Sequence, residues 1–401
     1  MQTNIKEYDE SFDLTQALQK KGTKEYGFIH LAQRANGSWV NIPIMLAVGA
    51  QDGPTLVVDA CNHGDEYEGT EGIIKTFEGL DVSKMKGSFI GIPALNAEAF
   101  AEMKRYNTLD FVPQDLNRIY PGGTGPMTAY VCSWYCENII KKADAVICIH
   151  GGGNSEYLEP VVLYCGEESP VAYKSREMAQ CFGFKVLWKN TRYAENSGIE
   201  DEYAYQMGIP CITPEIGGQC TRMYQRDEHK QMLETGIRNV MTLLGILEGS
   251  VPANEGVHHY DIDYIYNRNG GIHVPVKKAM DSVRKGDTLS IITNLFGEEV
   301  DRVIAPFDGV VIGYWTYSVC PPHGWVYMVG KPVDGGVKRP DPCILQIEVP
   351  VEYPRYEQGR SRVGCTWPAE MKKGHPFGCP SLSKKSSESW AFSFVNGKNE
   401  W

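Results

Sequence analysis

Val57-Val58-Asp59-Ala60-Cys61-Asn62-His63-Gly64-Asp65-Glu66-Tyr67-Glu68-Gly69 reads as the end of a buried strand, a glycine-containing loop and the approach to a helix that begins near Thr70. The apolar run over residues 55–60 is of strand length, and the helical pattern of residues 70–77 follows it directly. The same unit recurs downstream. Short apolar runs at 88–93, 145–149, 160–164, 185–188 and 210–213 alternate with helical stretches such as 129–142, and the series closes with a helix through 231–247. This alternation predicts an α/β domain with a largely parallel or mixed sheet flanked by helices. Upstream, the runs 28–31 and 39–42 flank Ala35-Asn36-Gly37-Ser38, and Asn-Gly is a strong signal for a tight hairpin turn.

A chain of 401 residues is too long for one ordinary core, so two domains are expected. The α/β pattern fills residues 1–250, and the loop-rich segment 251–269 reads as a linker. Over 270–350 the character changes to short apolar runs punctuated by Gly286-Asp287 and Asp308-Gly309, which predicts a small all-β domain. That arrangement resembles a lipoyl/biotinyl-like sandwich without the modified lysine in its usual setting, and Lys277-Lys278 reads as a solvated pair. The extension 351–401, rich in Ser, Lys and Gly towards its end, suggests no role.

Hydrophobic residues make up 42% and charged residues 22% of the chain, the composition of a soluble globular protein. The formal net charge is −11 with the basic residues scattered, which argues against nucleic acid and acidic membrane surfaces as partners. No window approaches the ~18 uninterrupted apolar residues of a membrane span, and a cytoplasmic protein is expected. The twelve cysteines form no Cys-x-x-Cys pair, and several lie in apolar runs, so they read as small core residues of a reducing compartment.

The candidate chemistry sits at strand ends, the edge at which open α/β sheets place their ligands. His63 and Glu66, three residues apart, can turn an imidazole nitrogen and a carboxylate oxygen towards one point. A second strand ends in His150 before Gly151-Gly152-Gly153, whose lack of side chains allows close approach. Two His and one Glu, with a fourth position open, form a ligand set of catalytic zinc, although cobalt or manganese would also fit. Zinc lowers the pKa of a water towards neutrality and polarises a carbonyl, chemistry suited to amide hydrolysis. A third strand runs into Glu215, a carboxylate able to take a proton from water and pass it to a leaving amine. Arg118 offers a bidentate fork for a substrate carboxylate and Asn117 an amide donor, while Arg105 can stabilise a developing oxyanion.

Taken together, and in this order over residues 45–250, these segments resemble the succinylglutamate desuccinylase/aspartoacylase family, relatives of the zinc carboxypeptidases. The resemblance implies one zinc ion per chain on His63, Glu66 and His150, with Glu215 as general base and acid. It further implies Arg105 as carbonyl polariser, Asn117 with Arg118 as the clamp on a substrate carboxylate, and Asp115 as the group that orients His63. The expected activity is deacylation of a small N-acyl amino acid or a related carboxylate-bearing compound. Three departures stand out. Cys148 occupies the place of an Asp found in many relatives, and the interval from Arg105 to Arg118 is longer than in aspartoacylase. The Gly151–Gly153 run is closer to deacylases of N-acetylated diamino acids. Two alternatives compete: a carboxypeptidase acting on short peptides, and a binding protein that keeps the fold without catalysis. Arg192 and Arg222 are candidates for reading further carboxylates, with surface salt bridges as the plainer reading. The oligomeric state is open, a two-fold dimer being the commonest outcome for soluble enzymes.

Overall fold

The computed structural model describes residues 5–191 and 197–334; Arg192 and the extension read over 351–401 lie outside them. The strands, in chain order, are β1 (Lys6–Asp9), β2 (Thr23–Gln33), β3 (Trp39–Val48), β4 (Gln51–Ala60), β5 (Lys86–Ile92), β6 (Ala145–Gly151), β7 (Glu156–Cys165), β8 (Val186–Asn190) and β9 (Cys211–Gly217). They continue with β10 (His258–Tyr266), β11 (Gly271–Pro275), β12 (Ser282–Val283), β13 (Thr288–Thr293), β14 (Glu299–Ile304), β15 (Gly309–Trp315), β16 (Val319–Cys320) and β17 (Trp325–Pro332). The helices are α1 (Leu14–Ala17), α2 (Glu68–Glu78), α3 (Ala97–Glu102), α4 (Met127–Asn138), α5 (Pro170–Phe182), α6 (Glu200–Gln206) and α7 (Arg222–Leu243).

Among the described residues, thirteen strands form one mixed sheet in the order β1-β2-β3-β5-β4-β6-β9-β7-β8-β10-β17-β15-β12. Its centre, β5-β4-β6-β9, is parallel, and the chain direction reverses at β7. Because both faces of these strands are covered, alternate residues enter different cores. Leu56, Val58 and Ala60 of β4 join Ala145, Ile147 and Ile149 of β6 in the core that includes Ile73 of α2, Phe182 of α5 and Leu233 of α7. Val57, Val146, Cys148 and Cys211 face the opposite core, with Val131 and Tyr135 of α4 and Ala204 of α6. This two-sided burial explains why the strands read as continuous apolar runs.

The hairpin turns where Asn36-Gly37 indicated, with Gln33 opposite Trp39 and Gly37 at φ 85°. Among the described residues every cysteine but Cys220 is buried, and none is paired. No described helix is long and apolar enough to cross a membrane.

The segment read as a linker contains β10, which adds in parallel to β8 and carries β17 on its other side. The polar residues Asp261 and Asp263 hide the strand from a composition reading, yet Tyr260 and Ile262, which alternate with them, are buried. A second, four-stranded sheet, β14-β13-β11-β16, packs Leu289 and Ile292 against Val311, Tyr327 and Val329 of β15 and β17. The C-terminal β region is thus two facing sheets, one of which continues the main sheet.

Inside this sandwich His273 is 5% exposed, and neither ring nitrogen has a hydrogen-bond partner. Burial pushes its pKa down to about 4. The neutral ring is therefore favoured by folding: its contribution is fully present above the unfolded value of ~6.5 and is lost as pH falls towards the folded value. Denaturant unfolding between pH 7 and pH 4 should show this loss, and His273→Leu should flatten that part of the profile.

Candidate functional site

Three neighbouring strand ends build the site. β4 leaves the sheet through Cys61, a non-glycine residue at φ 58°, a left-handed turn that costs about 1–3 kcal/mol and directs the following residues into the cleft. The Cys61 thiol lies 3.2 Å from Thr70 Oγ1 and 3.4 Å from Glu66 O, which ties the turn to the start of α2. α2 lies directly on the sheet because position 69 is glycine: a Cβ there would sit 2.6 Å from Ala60 Cβ and 2.8 Å from Ile149 Cβ.

These constraints bring together the three residues expected to converge. Glu66 Oε1 lies 2.7 Å from His63 Nδ1, and Glu66 Oε2 lies 2.7 Å from His150 Nδ1. All three side chains are buried, and their ligand atoms fall within 4.8 Å of one another. Both imidazoles thus direct Nδ1 at one carboxylate, an arrangement of Lewis-basic atoms that a proton or a cation must reconcile. This donor set fits a divalent metal ion. Burial opposes charge on His63, but Glu66 and Asp115 on its two nitrogens outweigh it and raise its pKa. Burial equally opposes ionisation of Glu66, yet His63 and His150 hold its carboxyl well below the usual range.

The outer nitrogens are fixed as well. His63 Nε2 donates to Asp115 Oδ1 at 3.0 Å, which leaves Nδ1 as the inward-facing atom. Asn117 Nδ2 lies 3.1 Å from His150 Nε2, while Asn117 Oδ1 accepts the Glu200 backbone N–H at 2.9 Å. Asn117 is therefore engaged with His150 and α6. Arg118 stands exposed at the cleft mouth with Nη1 on Asn117 O at 2.5 Å. Arg105 donates through Nε and Nη2 to Asp115 Oδ2 at 3.2 and 3.0 Å, and through Nη1 to Glu66 Oε1 at 3.3 Å.

Glu215 is the register partner of His150 across β6 and β9. It lines the same 740 Å³ cleft as the histidines, Arg105 and Arg118. Burial, then Glu66 and Glu156, lifts its carboxyl well above the usual range. Arg222 does not line this cleft; it pairs with Glu71 at 2.8 Å and lies 4.5 Å over the Tyr67 ring.

Behind this cluster lies a buried polar group built on the register pair Asp59 and Cys148. Asn62 Nδ2 donates to Asp59 Oδ1 at 3.1 Å and Glu200 Oε2 at 2.8 Å, Tyr135 donates to Asp59 Oδ2 at 3.0 Å, and Cys148 Sγ donates to Glu200 Oε2 at 3.3 Å. Burial, with Glu200 close by, drives the Asp59 carboxyl far above its ordinary value. The thiol at 148 is thus one member of a buried network in which Asp59 and Glu200 supply the acids.

Residues 52–244 match the model of the succinylglutamate desuccinylase/aspartoacylase catalytic domain. The α/β domain belongs to that family. Among curated proteins the chain is 25% identical over 234 residues to N-alpha-acetyl-L-2,4-diaminobutyric acid deacetylase of Halomonas elongata, covering 57% of this chain and just under two thirds (66%) of that enzyme. Among solved structures it is similar to the product-bound ectoine utilization protein EutE (DoeB) from Ruegeria pomeroyi, with TM-score 0.71 and 23% identity over 78% of this chain and 96% of that one. A succinylglutamate desuccinylase/aspartoacylase from Rhodobacter sphaeroides superposes with TM-score 0.70 and 23% identity, covering 79% and 98% of the two chains. These likenesses extend the shared fold through the C-terminal β region.

Sequence reasoning missed the far wall of the cleft. Trp188, Tyr264 and Trp325, from β8, β10 and β17, line it together with Glu156 at the start of β7. None carries a local motif; only the pairing of β10 with β8 and of β15 with β7 brings them to the site. Burial, with Glu66 adding, pushes the Glu156 carboxyl up to about 8 against the pull of Arg105.

The Asp115 contact carries a measurable consequence. Asp115→Asn should weaken uptake of a divalent metal by ~10–100-fold, as read by competition with a chromophoric chelator, while the far-ultraviolet circular dichroism stays unchanged.

Proposed function

We propose that this chain is a zinc-dependent deacylase that hydrolyses the amide bond of a small N-acyl amino acid. The observation that carries the reading is Glu215 standing directly across from His150 on the wall of the cleft, one strand from the His63–Glu66–His150 cluster. The named activity of the Halomonas elongata relative, deacetylation of an N-acetylated amino acid, supports the same class.

His63, Glu66 and His150 would hold the metal, which when bound supplies a Lewis acid that polarises the acyl carbonyl and acidifies water. Glu215 accepts a proton from the attacking water as its oxygen bonds to the acyl carbon. The C–N bond then breaks, and the proton on Glu215 passes to the nitrogen, leaving a carboxylate and a free amine. The raised affinity of Glu215 for a proton suits both halves of this transfer. Arg105, anchored on Asp115 and Glu66, presents fixed positive charge to the oxygen that becomes negative. Arg118, exposed at the mouth, is the fork for the substrate carboxylate, and Asn117 secures the loop that carries it while holding the outer nitrogen of His150. The wall contributed by β10 and β17 closes the side of the cleft, which favours a small substrate over a peptide running through it.

Amine release from a panel of N-acetyl, N-succinyl and N-formyl amino acids and dipeptides, with zinc and with chelator, tests the class. Chelator-sensitive release from an acyl amino acid is expected; release from dipeptides instead would make the chain a carboxypeptidase. Glu215→Gln should lower kcat by ~10²–10⁴-fold with the metal retained, and near-wild-type turnover of that variant would overturn the proton-transfer role.

A further inference from the structure

We infer that Glu68 is a positioning residue for Glu215: its carboxylate fastens the exit of β9, three residues beyond Glu215, to the start of α2, two residues beyond Glu66. The inference rests on the deacylase reading and adds to it the side chain that ties the proton-transfer group to the segment bearing the His63–Glu66–His150 cluster.

Glu68 is the first residue of α2, and only 6% of it is exposed. Its Oε1 accepts the Gly218 backbone N–H at 2.9 Å. The short segment from Asp65 to Glu68 thereby holds three separate chain ends. Asp65 Oδ2 accepts the Asn154 N–H in the β6–β7 turn at 3.1 Å, Glu66 Oε2 meets His150 at the end of β6 at 2.7 Å, and Glu68 takes the exit of β9. Glu68 does not line the cleft, so it reaches the reaction only through the backbone it holds.

That backbone needs holding. β9 leaves the sheet through two glycines, Gly217 at φ 71° and Gly218 at φ 141°, conformations that side-chain-bearing residues rarely adopt. On the β7 flank the pairing slips just there, between Leu158 opposite Gly217 and Val161 opposite Glu215, and a bulge disrupts the ladder locally. Crowding forbids side chains that could brace the turn instead. A Cβ at Gly217 would lie 2.7 Å from His229 Nδ1 and 3.1 Å from Glu68 Oε1, and one at Gly218 would lie 2.0 Å from Glu156 O. Restraint must therefore come from hydrogen bonding, and Glu68 supplies the acceptor from the element that follows Glu66. A buried N–H that loses its acceptor is costly enough to drive the backbone towards another partner. Displacing Glu215 by about 1 Å would take its carboxylate off the line of the proton it accepts.

The test separates reach from charge on the zinc-loaded full chain, with the acyl amino acid that the wild-type protein turns over fastest. Glu68→Gln keeps the reach and an acceptor oxygen without the charge, Glu68→Asp keeps the charge one methylene short, and Glu68→Leu keeps the bulk without an acceptor. Glu68→Gln should hold kcat close to wild type, whereas Glu68→Asp and Glu68→Leu should lower it by ~10–100-fold with KM and zinc affinity unchanged. In the same two variants the amides of residues 216–221 should exchange faster with solvent deuterium, while those of residues 145–149 keep their protection. If Glu68→Leu does not fold, as judged by circular dichroism, the Gln and Asp pair decides. Equal losses in Glu68→Gln and Glu68→Asp, or a loss that appears in KM or zinc affinity, overturn the positioning role and leave deacylation standing. Absence of amine release from every acyl amino acid by the wild-type chain overturns the deacylase reading, and the exchange comparison then decides the tie between Glu68 and Gly218 by itself.

Discussion

The Glu66 carboxylate, held between two imidazole nitrogens, is the interaction on which the rest of the site depends. One oxygen faces His63 and the other His150, each at 2.7 Å, so the two histidines are positioned through a single side chain. That geometry is available because β4 and β6 are parallel neighbours, with Ala60 opposite Ile149 one residue before His150. Adjacent strands lie ~4.8 Å apart, close to the reach of one carboxylate between two rings. The ring centroids are in fact 4.9 Å apart. Buried charge of this density is tolerated only when every lone pair and proton has a partner, and Asp115, Arg105 and Asn117 provide those partners on the outer side.

The support reaches further than the atoms in contact with Glu66. Asn117 joins His150 to the backbone of Glu200, whose side chain belongs to the network with Asn62, Tyr120 and Cys148. Asn62 is the residue before His63, and Cys148 precedes His150 by two on the same face of β6. Both histidine-bearing strand ends are therefore pinned from beneath by one buried hydrogen-bonded group. A network of this kind fixes geometry well only while it is fully satisfied, and disturbing one member is transmitted to the others.

Much of this was legible in the sequence, for a definite reason. His63, Glu66, His150 and Glu215 each follow a continuous apolar run, and a run buried on both faces points to a parallel sheet whose ends gather in one crevice. The far wall was not legible, because its residues meet only through long-range pairing. Tyr264 sits in a strand interrupted by Asp261 and Asp263 that reads as linker until β8 is seen beside it. Glu156 follows a glycine run and resembles any polar residue at a strand start until β15 is placed opposite. Asn117 illustrates a subtler limit: its type suggests an amide donor for a substrate carboxylate, but which partner its amide takes depends on where α6 begins.

The division of the cleft between strands bears on how such a site changes. The His63–Glu66–His150 cluster and Glu215 sit on β4, β6 and β9 and their loops, in the interior of the sheet, where each is locked by burial and by a neighbouring strand on either side. Glu156 and the aromatic wall come from β7, β8, β10 and β17, the last two contributed by a C-terminal segment that joins the sheet by edge addition. A substitution on the second set alters the shape and charge met by the substrate without moving the atoms that would bind metal or transfer a proton. Function resides in sites grafted onto folds, and here the cleft has two separable parts: an interior half built at the ends of central strands and a wall half brought in by long-range strand pairing.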